Sequence, residues 1–169
     1  RGLEQRMTPC LVPADSPLGQ LQGGTNMVVL EGDSVGQIVL RGPGAGEGPT
    51  ASAVMGDVVD IARGVRLPTF GVPASQLKKA QTARAATPAP YYLRMTLLDK
   101  PGALAKIATC VGDAGISIDQ MRQINKPDVE DDNALVLIVT HKAAPADIAH
   151  AMSLFPKTGV LMGAPVAIR

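Results

Sequence analysis

Aromatic side chains are scarce in this sequence, which has two tyrosines, two phenylalanines and no tryptophan among its 169 residues. Hydrophobic residues still make up 46% of the chain, so its core has to be built from aliphatic side chains and methionine. The chain also has no large excess of charge of one sign, because 16 basic and 15 acidic side chains leave a net charge of +1. This balance, without a local basic cluster, argues against a nucleic-acid partner.

Cysteines and long apolar runs are also few. Cys10 and Cys110 lie far apart in the sequence. A disulfide between them is one alternative. We favour the other, in which both are free thiols in a reducing cytosol. No apolar run approaches the roughly 20 residues of a membrane-spanning helix, and no signal peptide opens the chain. We therefore expect a cytoplasmic protein without a membrane partner. The chain begins with Arg1 and not with Met, and its first residues are typical of folded sequence. We therefore expect it to be part of a longer protein.

Three regions of the chain differ in amino-acid composition and in sequence pattern. Residues 1–66 are glycine-rich with short apolar runs, and we predict one domain segment there. Residues 67–89 are rich in Pro, Ala, Thr and Ser with few large apolar side chains, which predicts a linker because little surface can be buried to offset its ordering entropy. Residues 90–169 alternate strand and helix patterns and form the second predicted domain.

The first region predicts a hairpin followed by a helix. The β-rich runs Asn26–Glu31 and Val35–Arg41 are separated by a short Gly/Asp turn, which favours a hairpin. A further strand is expected near Leu3–Val12. The helix is expected to open at Pro49 or Thr50, since proline is tolerated in a first helical turn.

The last region predicts a βαββαβ order, a ferredoxin-like unit whose sheet has one face covered by two helices. An acidic turn is expected over residues 126–133. The predicted elements are strand Tyr91–Leu98, helix Pro101–Ala114, strand Ile116–Ile124, strand Ala134–Thr140, helix Pro145–Phe155 and strand Val160–Ile168. The fold class expected for the whole chain is therefore α+β.

A glycine-rich loop, Gly42–Thr50 (GPGAGEGPT), lies between the second strand and the helix. Glycines let the backbone approach a ligand, and a helix N-terminus offers free N–H groups. The loop is not a Walker A motif, since no Lys-Ser/Thr follows, and its match to a dinucleotide fingerprint is weak. A tight structural turn and a ligand-facing loop both remain open from these residues alone.

Three segments together carry a family resemblance: Glu31–Gly36 (EGDSVG), Gly42–Val54 (GPGAGEGPTASAV) and Asp57–Arg63. They closely resemble the end of the homoserine dehydrogenase catalytic domain. The resemblance implies an NAD- or NADP-dependent interconversion of aspartate 4-semialdehyde and homoserine, with Gly46 contacting the cofactor and Gly44 a second candidate. The family's dinucleotide fold, catalytic lysine, substrate-binding acids and cation site lie upstream, so we expect no catalytic residue here and an inactive fragment.

A second motif, Asp99–Leu104 (DKPGAL), passes from strand to helix and by itself favours a tight turn. Followed by Gly115–Ile118 (GISI), the region over residues 90–169 resembles an ACT domain. That resemblance implies side-by-side homodimers that bind an amino acid at their interface, typically threonine as a feedback inhibitor in homoserine dehydrogenases. The implied effector-site residues are Asp99, Gly102, Ile116 and Ser117.

Two alternatives of other kinds stay open. One is a stand-alone amino-acid-binding ACT sensor or dimerisation module, and the other is a different enzyme with the same tail, such as a phosphoglycerate dehydrogenase or an aspartate kinase. The GPGAG run discriminates against both, since neither has a use for it. We expect no metal site, because His141 and His150 fall on different predicted elements.

Overall fold

The computed structural model describes residues 2–68, 70–125 and 133–169, and that part of the chain folds as α+β, as predicted. It divides into two compact units: residues 12–79, and the first eleven residues together with residues 80–169. The elements are β1 (Thr25–Gly32), β2 (Gly36–Pro43), α1 (Glu47–Ala62), β3 (Tyr92–Leu98), α2 (Ala103–Asp113), β4 (Ile118–Asn125), β5 (Asn133–Thr140), α3 (Pro145–Leu154) and β6 (Leu161–Ile168).

Strands β1 and β2 form the predicted antiparallel hairpin, with Gly32 opposite Gly36 next to the turn. Gly36 has φ +71°, a value that a glycine adopts without the steric cost of a side chain. The strand expected near Leu3–Val12 was wrong. Within that range the structure holds an isolated parallel bridge between Leu3 and Thr82 and no regular strand.

Helix α1 begins at Glu47, two residues before the predicted start. Strand β2 ends at Pro43, and Gly46, with φ +118°, is the residue directly before the helix. Pro49 then lies in the first turn, where its missing N–H is not needed. None of the side chains of α1 is buried, and apolar side chains such as Val54 and Ile61 are more than half exposed.

The second unit is a four-stranded antiparallel sheet in the order β4-β5-β3-β6. Burial alternates along β3 and β5, so one face of the sheet is covered and the other is only half-buried. With α2 and α3 between the strands, the predicted βαββαβ order is confirmed. The predicted acidic turn falls mainly on residues 126–132, which lie outside the described residues.

The core of this unit is mostly aliphatic, as the composition requires, with aromatic rings from Tyr91 and Phe155. Ile107 and Val111 of α2 and Leu93 of β3 are fully buried within it, and each contributes about 1.5–3 kcal/mol by leaving water. Thr140 is a buried polar residue, but its hydroxyl oxygen accepts a hydrogen bond from the Tyr91 N–H at 3.0 Å. That bond satisfies a group whose burial would otherwise be costly.

Candidate functional site

The glycine loop delivers the chain from β2 to the N-terminus of α1. Gly46 is the residue before the helix, with φ +118° and ψ 159°, a combination that is essentially restricted to glycine. Its carbonyl oxygen accepts the Thr50 N–H at 3.1 Å and closes the first helical turn. No side chain caps this end of α1, so its first N–H groups face a ligand or water.

The two glycines proposed as cofactor contacts have different surroundings. Gly46 lines an open, mainly apolar groove of about 530 Å³ that follows the first two turns of α1 to Val54 and Met55. At Gly44, in contrast, a Cβ atom would lie 1.5 Å from Nδ2 of Asn26 on β1. A side chain at Gly44 would therefore require the Asn26 side chain to move within the hairpin unit, whereas Gly46 borders the open surface.

The turn before α2 is a type II β-turn. The Ala103 N–H donates to the Lys100 carbonyl at 3.0 Å, and Gly102, at the third position, has φ +82° and ψ −7°. Those angles favour glycine, while Pro101 suits the second position. The helix therefore begins at Ala103 and not at Pro101 as the sequence suggested. Nothing lies within 4 Å of a Cβ built on Gly102, so glycine is needed there for its conformation.

A cavity of about 190 Å³ opens beside this turn. Asp99 and Gly102, two of the predicted effector residues, lie together in its lining. Its apolar wall includes Leu97 and Val136 of the sheet, and Gln123 of β4 adds an amide that donates to Oδ1 of Asp99 at 3.1 Å. Sequence reasoning missed Gln123. The signal in the sequence was that Gln123 is a polar residue in β4, on the face of the sheet that is covered in β5.

The other two predicted effector residues lie elsewhere. Ile116 is buried in the core and leaves only its backbone for a ligand. Ser117 is exposed just before β4, and its carbonyl accepts the His141 N–H at 2.9 Å. Because β3 and β4 both pair antiparallel with β5, they run in the same direction. The start of β4 is therefore at the opposite end of the sheet from Asp99, roughly 20 Å away at strand rise.

Within the described ranges, no three or more His, Cys, Asp or Glu side chains form a group suited to a metal ion. His141 does face Asp119, with Nε2 and Oδ1 3.7 Å apart, but both side chains are well exposed. None of the helices within the described ranges combines the length and apolarity needed to cross a membrane.

Two family models match the chain in succession. The model described as homoserine dehydrogenase matches residues 2–59, and the model described as ACT domain matches residues 91–154. The homoserine dehydrogenase of Pseudomonas aeruginosa is 33% identical over 99% of this chain, and that of Corynebacterium glutamicum is 33% identical over 99% of it. The match covers 40% and 37% of those two proteins, so the chain spans about two fifths of their length.

Solved structures give the same assignment. A crystal structure of a homoserine dehydrogenase from Thiobacillus denitrificans aligns with a TM-score of 0.80 and 31% identity, covering 95% of this chain and 37% of that one. Homoserine dehydrogenase from Staphylococcus aureus aligns with a TM-score of 0.52 at 17% identity, covering 92% of this chain, which supports a shared fold. The similarity therefore extends across both halves of the chain.

Proposed function

We propose that this chain supplies a cofactor-facing loop and an amino-acid sensor. It is the C-terminal region of a homoserine dehydrogenase, in which the end of the catalytic domain is followed by an ACT domain. The parent reaction is the NAD- or NADP-dependent interconversion of aspartate 4-semialdehyde and homoserine. The observation that carries the proposal is the presence of two ligand-suited loops in one chain, the glycine loop before α1 and the Pro-Gly turn before α2. A stand-alone sensor would use only the second.

The loop before α1 suits one edge of a nicotinamide cofactor. Gly46 has no side chain and borders an open groove, so a planar ring can approach the main chain there. The uncapped N-terminus of α1 adds N–H donors for a polar group. The cofactor, when bound, accepts or supplies the hydride. The residues of this chain position it, and we assign no catalytic residue to them.

The cavity before α2 suits a small amino acid. At about 190 Å³ it is below the usual 300–1,000 Å³ of drug-sized ligand sites, so a nucleotide does not fit inside it. The N–H groups at the start of α2 attract a carboxylate, and Asp99 attracts an ammonium group. The amide of Gln123, already bonded to Asp99, orients that carboxylate. Threonine is the first candidate ligand from the family resemblance.

A homodimer completes this site. Strand β4 is an edge of the sheet in the described part of the chain, and an edge strand presents main-chain groups that can pair with a second copy. If two β4 strands pair antiparallel about a two-fold axis, the start of one lies beside the end of the other. Ser117 of the partner subunit then comes to the Asp99 end of the sheet. This arrangement accounts for predicted effector residues that lie at opposite ends of one domain.

An effector at such an interface acts by linkage. It binds only the assembled pair, so it stabilises the dimer by mass action. It changes catalysis only to the extent that it binds one arrangement of the enzyme more tightly than another. The ACT domain is thus proposed as the regulatory domain of the enzyme, and the segment before it as the end of the catalytic domain.

The chain by itself is expected to give no homoserine oxidation above background with either NAD or NADP. The physical reason is that the described residues contain no dinucleotide fold and no assigned proton acceptor, so neither binding nor chemistry is complete. The measurement is cofactor reduction followed by absorbance, with the homoserine dehydrogenase of Pseudomonas aeruginosa as the positive control. Turnover that co-purifies with the chain and disappears in its Gly46→Val variant would contradict the proposal.

A further inference from the structure

Residues 2–11 belong to the same compact unit as the described part of residues 80–169, although they match the homoserine dehydrogenase family model. At one end of this contact the backbones are very close. The Leu3 N–H donates to the Gln81 carbonyl at 2.6 Å, and the Ala83 N–H donates to the Leu3 carbonyl at 2.9 Å. A Cβ on Gly2 would lie 2.5 Å from Cα of Ala83, so only glycine permits this approach.

Glu4 makes the central contact of the segment. One oxygen of its carboxylate, Oε2, accepts both the N–H and the hydroxyl of Thr87 at 2.8 Å each. The other oxygen, Oε1, lies 2.6 Å from Arg6 and 4.0 Å from Arg169. The two bonds between Glu4 and Thr87 join residues 83 positions apart in the sequence. Charge-assisted hydrogen bonds of this kind are stronger than neutral ones and fix the geometry of both partners.

The C-terminal strand closes the same cluster. Beyond β6, the Arg169 guanidinium donates to the Thr87 carbonyl at 3.2 Å, and the Arg169 carbonyl accepts the Leu11 N–H at 2.7 Å. Hydrogen bonds from the backbone N–H and then the hydroxyl of Thr87, helped by Arg6 and Arg169, lower the pKa of Glu4. The carboxylate is therefore charged at neutral pH, and its contribution is lost only as the pH falls through that lowered value.

We propose that Glu4, Thr87 and Arg169 form a latch that fixes residues 2–11 on the ACT domain. The predicted linker of residues 67–89 is then tethered at its end: residues 81–87 are held by the latch and its neighbouring bridge. Residues 12–79 are covalently joined at both ends to segments of the ACT-containing unit. The latch is thus a second connection between the catalytic-domain sequence and the regulatory domain, and it does not depend on which effector binds.

The test uses the 169-residue chain and its Glu4→Gln variant, which keeps the shape of the side chain but removes its charge. In the wild-type chain trypsin is expected to cut first after Lys78 or Lys79, while Arg84 is protected because its backbone lies between two anchored points. In Glu4→Gln, cleavage after Arg84 and amide exchange over residues 3–5 and 81–87 should become at least about fivefold faster. Amides of β3 and β5 should exchange at unchanged rates.

The control is Glu31→Gln. In the described part of the chain Glu31 accepts a hydrogen bond from the nearby Gln37 within the hairpin, so this variant should leave the latch region unchanged. If Glu4→Gln accelerates exchange throughout the ACT core, Thr87→Val provides the same local test with only the hydroxyl removed. Wild-type protection of Arg84 and of residues 81–87 in both variants would overturn the latch. Binding of amino acids is measured separately, so failure of the proposed effector leaves this result intact.

Discussion

Replacing Gly46 by valine in a full-length homoserine dehydrogenase that contains this chain is expected to raise the KM for the nicotinamide cofactor at least about tenfold, or to abolish turnover. Gly46 has φ +118° and ψ 159°, where a side chain costs roughly 1–3 kcal/mol of strain, equivalent to about 5- to 150-fold. The added side chain also projects toward the groove where the main chain is proposed to meet the ring. Steady-state kinetics with varied NAD and NADP measure both effects.

Gly48→Ala is the matched control for that variant. Gly48 lies within α1, is not among the positive-φ glycines and has nothing within 4 Å of a built Cβ. Alanine is the better helix former, so this variant should keep both its fold and its KM. Unchanged cofactor kinetics in a folded Gly46→Val enzyme would mean that the loop is a structural turn and not a cofactor contact.

Replacing Asp99 by alanine is expected to weaken binding of the effector to the chain at least about tenfold. In the proposed mode the carboxylate meets the ammonium group of the ligand, and loss of a charge-assisted bond at a partly enclosed site weakens binding by about that factor or more. Calorimetric titration of wild-type and variant chains gives the two dissociation constants. Gln123→Met, which removes the amide that orients Asp99, should have a smaller effect in the same direction.

The control for this pair is Asp60→Ala, at an exposed position of α1. It removes the same charge from the chain but lies in the other compact unit, so the binding constant should stay at its wild-type value. Equal affinity in the wild-type and Asp99→Ala chains would place the ligand elsewhere in the domain.

The sequence predicted those features that depend on local pattern. Alternating side chains in β3 and β5 and the Gly/Asp turn of the hairpin are local signals, and the elements they predicted are present. The starts of α1 and α2 differed from the predicted ones by two to three residues, where glycine conformations decided them. Gly46 adopts φ +118° and Gly102 adopts φ +82°, and neither angle can be read from residue identity, since glycine also occupies ordinary conformations.

The features that escaped prediction depend on contacts between distant parts of the chain. The Glu4–Thr87 bonds span 83 residues, and no spacing or periodicity encodes them. The same holds for Gln123, whose role depends on the register between β4 and β5. Ile116 and Ser117 were grouped with Asp99 by resemblance to a family that pairs its domains, and within one chain the sheet separates them. The predicted boundaries at residues 66 and 90 stay predictions.

The most direct test of the central proposal, that this C-terminal region of homoserine dehydrogenase contains an amino-acid sensor, is calorimetric titration of the wild-type chain. Threonine, isoleucine, methionine, serine and lysine would each be added, with sedimentation used to follow the dimer. We expect saturable heat with at least one of them, threonine first, together with a shift toward the dimer. No heat with any of the five would contradict the sensor and leave the ACT domain as a dimerisation device.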